Sequence, residues 1–180
     1  LGTVHWPGDY FYYLSQFVQG RTSWFTSFDL YTNDFLQKTW VGWVNVFLGR
    51  LFSLAGINHF LAYQLSLIIF AVTFLGLSYM LIREIFPDRK KERIIAFFLF
   101  TTSNALPKLI NEGGRWSLSY YDFWFNMGIP FNRLGGVPHH LIARSALSLA
   151  ILLFVWFFRN KGKRGLFLLG LLLTGFVLGS

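Results

Sequence analysis

The sequence predicts an all-α, polytopic transmembrane helix bundle with two helical or irregular outer loops, and three observations lead to it. First, 54% of the 180 residues are hydrophobic, 21% are aromatic and only 13% are charged. A soluble domain carries about twice that charge fraction. A soluble fold of this length has too little interior to hide 22 phenylalanines, whereas a bilayer makes no such demand. Second, residues 60–82 (FLAYQLSLIIFAVTFLGLSYMLI) form an uncharged run long enough to cross a membrane with some tilt. Third, the charges behind the net +8 are clustered. Arg83, Arg89, Lys90, Lys91 and Arg93 fall in one short hinge, and Arg159, Lys161, Lys163 and Arg164 in another, each between apolar runs. That is the pattern of cytoplasmic loops under the positive-inside rule, and it argues against a nucleic-acid partner.

In chain order, residues 1–59 read as a first outer loop, with a short helix over 10–19 that ends at Gly20. Residues 40–56 (WVGWVNVFLGRLFSLAG) carry Gly42, Asn45, Gly49 and Ser53 as a small, polar stripe on an otherwise apolar helix. Arg50 and the tight link to residue 60 favour a helix lying along the membrane interface over a span. The first full span covers about 60–82 and the first hinge 83–93. A return span over about 94–107 ends near Pro107, short for a crossing. A second outer loop, 108–140, follows, with a turn at NEGGRW (111–116). The third span covers about 141–158, the second hinge 159–165, and a fourth span starts at 166 and runs to 180. Its helical rise is only about 22 Å against a hydrocarbon core of about 30 Å. With Leu1 rather than Met in front and an apolar run cut short at Ser180, the chain reads as a fragment of a longer polytopic protein lacking material at both ends, its N-terminal part, in one transmembrane domain.

Nine of the sixteen Lys and Arg sit in the two hinges, which puts both outer loops on the non-cytoplasmic side of what reads as a bacterial plasma (inner) membrane. The absence of cysteine excludes a disulfide framework and a thiolate metal site. Glu84, Asp88 and Glu92 belong to the cytoplasmic hinge. The other five acids, Asp9, Asp29, Asp34, Glu112 and Asp122, lie in the outer loops, where a membrane enzyme would build a site. Asp29 and Asp34, in SFDLYTNDF, suit turn or cap positions. Asp9 has two compatible readings: the N-cap of a helix starting at Tyr10, and a general base or metal ligand at the membrane face. Asp122, in SYYDFWFN, repeats the setting of an acid among aromatics.

The stretch GDYFYYLSQFVQG, followed by LGRLFSLAGINHFLAYQLSLIIFAVTFLGLSYMLIREIF, resembles the first outer loop and second span of GT-C superfamily integral-membrane glycosyltransferases. The resemblance covers roughly residues 8–95, and residues 108–140 more loosely. It departs from the family in one place: the frequent paired acid of that loop is missing, because Tyr10 follows Asp9 directly. It implies a fold of membrane helices and an inverting transfer of sugar from a polyprenyl-phosphate carrier to a glycan, lipid or protein acceptor on the outer face. It also implies Asp9 as base or metal ligand, with Glu112 or Asp122 as the second-loop acid. Tyr12, Tyr121 and Trp124 would line the sugar site. A divalent cation (magnesium or manganese), if used, would fall to Asp9 and Asp122 through oxygen ligands; the residues do not require one.

A second cluster lies in FNRLGGVPHHLIAR (131–144). Pro138 opens the third span, so His139 and His140 sit at its mouth, and Arg144 lies one turn further in. His140 and Arg144 share a helix face, whereas His139 and His140 point about 100° apart and do not readily share one metal ion. His139, His140, Arg133 and Arg144 suit the phosphate of a lipid donor; Arg144 snorkelling to headgroups is the competing reading. Two other function classes stay open: a transporter or flippase of a lipid-linked or anionic solute, and a non-catalytic membrane scaffold.

Overall fold

The computed structural model describes residues 7–28, 38–102, 107–120, 137–159 and 164–179. Among these, six helices dominate: α1 (Pro7–Gln19), α2 (Trp43–Leu54), α3 (His59–Ile85), α4 (Lys90–Thr102), α5 (Pro138–Arg159) and α6 (Arg164–Gly179). The chain is mostly helical, as expected, but two small antiparallel sheets stand in the regions expected to form helical or irregular outer loops. β1 (Ser27–Phe28) pairs with β2 (Lys38–Thr39), and β3 (Pro107–Glu112) pairs with β4 (Arg115–Tyr120). Two helices, α3 and α5, are long and apolar enough to cross a membrane, with mean hydropathy 2.3 and 2.2 over their best windows; α2 and α6 are shorter apolar helices. The chain divides into two units, residues 1–77 with 136–180, and residues 78–135.

In the first unit, α1, α2, α3 and α5 share a core of Leu14, Phe17, Val44, Leu48, Ala62, Tyr63, Leu67, Leu141 and Ile142. The small stripe on α2 is explained by α1. A Cβ on Gly49 would run into the backbone of Phe17, and one on Gly20 into the backbone of Val46, Gly49 and Arg50. The two helices therefore touch backbone to backbone, which only glycine at both positions permits. At the far end of α1, the Gln19 amide bridges to β1: Phe28 N–H donates to Gln19 Oε1 at 2.6 Å, and Gln19 Nε2 donates to Phe28 O at 3.1 Å. The outer flank of α2 carries aromatics. Phe25 stacks on Trp40 and on Phe47, with ring centroids 5.9 and 5.7 Å apart. The Arg50 guanidinium lies over Trp24 and donates to Arg21 O at 2.6 Å.

The link from α2 to α3 is set by backbone chemistry. Ile57 N–H bonds Phe52 O at 2.9 Å and Gly56 N–H bonds Ser53 O at 3.0 Å, a Schellman pair that takes up the last carbonyls of α2. Gly56 holds the left-handed position this needs, at φ 73°. Phe52 and Ile57, the two residues joined by the first of these bonds, both pack on the core. Asn58 then caps α3, its Oδ1 accepting from Leu61 N–H at 2.9 Å. Asn58→Ala is expected to cost about 1 kcal/mol, a typical loss for an N-cap, read as a lower unfolding midpoint in detergent. Further along, α5 is tied to α3 by Ser145 Oγ donating to Phe70 O at 3.4 Å. It meets α6 where Phe167 packs against Phe154 and Phe157.

The second unit holds the end of α3, α4 and the β3–β4 hairpin. Tyr79 of α3 meets Phe97 of α4 edge to face at 5.6 Å. The basic hinge is tighter than expected: α3 continues to Ile85 and α4 begins at Lys90. Arg83 closes the last turn of α3 and Glu92 lies in the first turn of α4, each sign matching the helix dipole. The expected helix over 94–107 is also corrected. Within the described residues α4 ends at Thr102, and Pro107 opens β3. The turn at NEGGRW is the tip of a hairpin. Gly113 and Gly114 both have positive φ, 60° and 83°, the requirement of a two-residue type I′ turn between Glu112 and Arg115. Asn111 Oδ1 accepts from Gly114 N–H at 3.0 Å and braces it.

Candidate functional site

α1 starts earlier than the sequence suggests. Pro7 opens it, as proline suits the first helical position, where its missing N–H would have no partner in any case. Asp9 therefore lies inside the first turn and is not the N-cap, which corrects that reading. Its side chain lies outside the described residues. The rest of α1 turns one face inward: Tyr10 and Tyr13 pack against the core, and Leu14 and Phe17 belong to it. Tyr10 and Phe17 meet the buried Tyr63 ring of α3, at centroid distances of 5.2 and 5.5 Å.

On that inward side α1 also carries Gln16, only 2% exposed. Burying an amide is unfavourable unless its groups find partners. Its partner is Asn45 of α2, which is 0% exposed and donates from Nδ2 to Gln16 Oε1 at 2.8 Å. Gly42 makes room for this pair, since a Cβ there would overlap the Gln16 amide. The Asn45 Nδ2 also faces His139 Nδ1, at 3.5 Å. The His139 ring packs against Tyr13 at 4.8 Å and against His140 at 4.3 Å. Three helices thus meet at the mouth of α5, with an amide pair, a phenol ring and two imidazoles in one cluster. Asn45 Oδ1 and Tyr63 Oη are buried without a hydrogen-bond partner among the described residues.

The site residues expected from the sequence divide as follows. Tyr12, His139, His140 and Arg144 are described in the first unit, all four half-buried. Arg144 lies one turn beyond His140 in α5. Tyr12 sits beside Tyr13, ring centroids 5.3 Å apart. Glu112 is the last residue of β3, in the second unit, and its side chain lies outside the described residues. Asp29, Asp34, Tyr121, Asp122, Trp124 and Arg133 lie outside them altogether. Among the described residues no group of three or more His, Asp or Glu side chains converges as a metal site.

Two members of the cluster, Gln16 and Asn45, are additions from the structure. Asn45 was visible as part of the small stripe, and Gln16 as an amide on an aromatic helix; their pairing was not. A separate cleft of about 220 Å³ opens where α1 and α2 meet the α2–α3 turn, lined by Phe17, Arg21, Ser53, Ile57, Asn58 and His59 among others. Comparison of the chain with protein-family models, with curated proteins and with solved structures finds no match in any of the three.

Proposed function

We propose that the protein is a membrane-embedded glycosyltransferase that moves a sugar from a polyprenyl-phosphate carrier to an acceptor on the non-cytoplasmic face. One observation carries the reading: the helix that carries Asp9 in its first turn docks, through Tyr13 and Gln16, on the α2–α5 junction at His139. The acid-bearing helix and the His139–His140–Arg144 segment belong to one packed unit, as a site joining a base to a phosphate-binding group requires. Asp9 would take the proton of the acceptor hydroxyl. His139, His140 and Arg144 would hold the carrier phosphate, whose charge grows as the sugar–phosphate bond breaks. Charged and hydrogen-bonding groups fixed in a low-dielectric site serve that purpose better than water does.

Membrane residence is supported by α3, whose best apolar window is only 17% buried within the protein. Phe60, Leu61, Ile68, Ile69 and Val72 are all exposed, a surface that lipid would cover. The stacked aromatics beside α2, with Arg50 among them, fit the interfacial layer where such side chains collect.

The test is transfer by the intact protein in lipid nanodiscs, supplied with a polyprenyl-phosphate-linked sugar. Arg144→Ala is expected to raise the KM for the donor roughly 10- to 100-fold, since charge-assisted bonds to phosphate contribute about 1.5–3 kcal/mol. Arg144→Lys is expected to recover part of the loss. An unchanged donor KM in Arg144→Ala would leave Arg144 as a headgroup anchor and remove it from the site.

A further inference from the structure

We propose that Gln16 and Asn45 are positioning residues that set the tautomer of His139. Asn45 Nδ2 carries two hydrogens. One is given to Gln16 Oε1 at 2.8 Å, and this holds the plane of the amide. The other faces His139 Nδ1 at 3.5 Å. An imidazole that accepts at Nδ1 carries its proton on Nε2. The ring has little freedom to escape this arrangement, with Tyr13 packed on it at 4.8 Å and His140 at 4.3 Å. His139 Nε2 has no hydrogen-bond partner among the described residues. The relay from α1 through α2 to α5 thus leaves one N–H of His139 for a ligand. On the function proposed above, on which this last step rests, that N–H is a neutral donor to a phosphate oxygen of the lipid carrier.

The arrangement has a mirror alternative that gives the opposite outcome. With both amides turned over, Asn45 Oδ1 would accept from Nδ1–H and Nε2 would be left bare. Nitrogen NMR separates the two. The intact protein is labelled with ¹⁵N-histidine in lipid nanodiscs, and the His139 signals are assigned by their loss in His139→Gln. The expected wild-type pattern is a protonated Nε2 and an unprotonated Nδ1. Asn45→Asp, which offers only acceptors, is expected to bring a proton to Nδ1. Gln16→Leu, which frees the Asn45 amide, is expected to give both tautomers side by side. A wild-type spectrum with Nδ1 protonated overturns the proposal, whether or not the variants fold. An Asn45→Asp spectrum matching wild type overturns it as well, and a single tautomer in Gln16→Leu removes Gln16 from the relay. None of these readouts involves sugar transfer. A correct tautomer in a protein without transferase activity would refute the function and leave the relay standing, and the reverse result would do the opposite.

Discussion

Asp9→Asn is expected to lower the turnover of sugar transfer by about 10²–10⁴-fold, the usual contribution of a positioned general base. The substitution keeps the size of the side chain and removes its ability to take a proton. Because Asp9 lies in the first turn of α1, ahead of the packed face that begins at Tyr10, the change leaves the α1–α2 contact intact. Donor KM and the unfolding midpoint should therefore stay near wild type, and the loss should fall on turnover alone. Initial rates of transfer at saturating donor read this directly. Turnover within threefold of wild type would exclude Asp9 as the base.

Gly49→Val is expected to have the largest structural effect. A Cβ at Gly49 meets the carbonyl oxygen and Cα of Phe17, which are backbone atoms and have no rotamer in which to move aside. Overpacking costs about 1–3 kcal/mol where side chains can adjust, so a backbone clash falls at roughly 3 kcal/mol or above. For a chain of this size that corresponds to a fall of about 6–12 °C in the unfolding midpoint. The same helix pair carries Gln16 and Asn45, so the His139 contact and sugar transfer should be lost together with α1–α2 docking. Gly76→Ala is the control. Nothing lies within 4 Å of a Cβ there, and alanine in the middle of α3 should be neutral or stabilising by about 0.5–1 kcal/mol. Thermal unfolding of both variants in one detergent gives the comparison.

What the sequence discloses and what it hides follow from the range of the interactions involved. The helices α3 and α5 are legible because length and unbroken apolarity are local properties, and both emerge close to the expected 60–82 and 141–158. The end of α1 before Gly20 is legible for the same reason. Its start is displaced to Pro7, because proline at a first helical position looks in sequence like a break. The β3–β4 hairpin escapes for a different reason. Its Gly113–Gly114 turn was recognisable, and β4 does alternate, Trp116, Leu118 and Tyr120 against Arg115, Ser117 and Ser119, but β3 sets Leu109 beside Ile110 and breaks the pattern on the other side of the turn. The small, polar stripe on α2 was visible, but its meaning as the contact with α1 was not, since the clash that excludes a Cβ at Gly49 comes from Phe17 on another helix. The Gln16–Asn45–His139 contacts join residues far apart in the chain, and only packing brings them together.

The most direct test of the central claim follows the fate of the sugar–phosphate bond. The intact protein is placed in liposomes with a polyprenyl-phosphate-linked sugar, and free polyprenyl phosphate is measured alongside the glycosylated acceptor. The account predicts release of carrier phosphate in step with transfer, suppressed in Asp9→Asn. Donor that crosses to the opposite leaflet with its sugar–phosphate bond intact, and with no carrier phosphate released, would contradict it and make the protein a translocator.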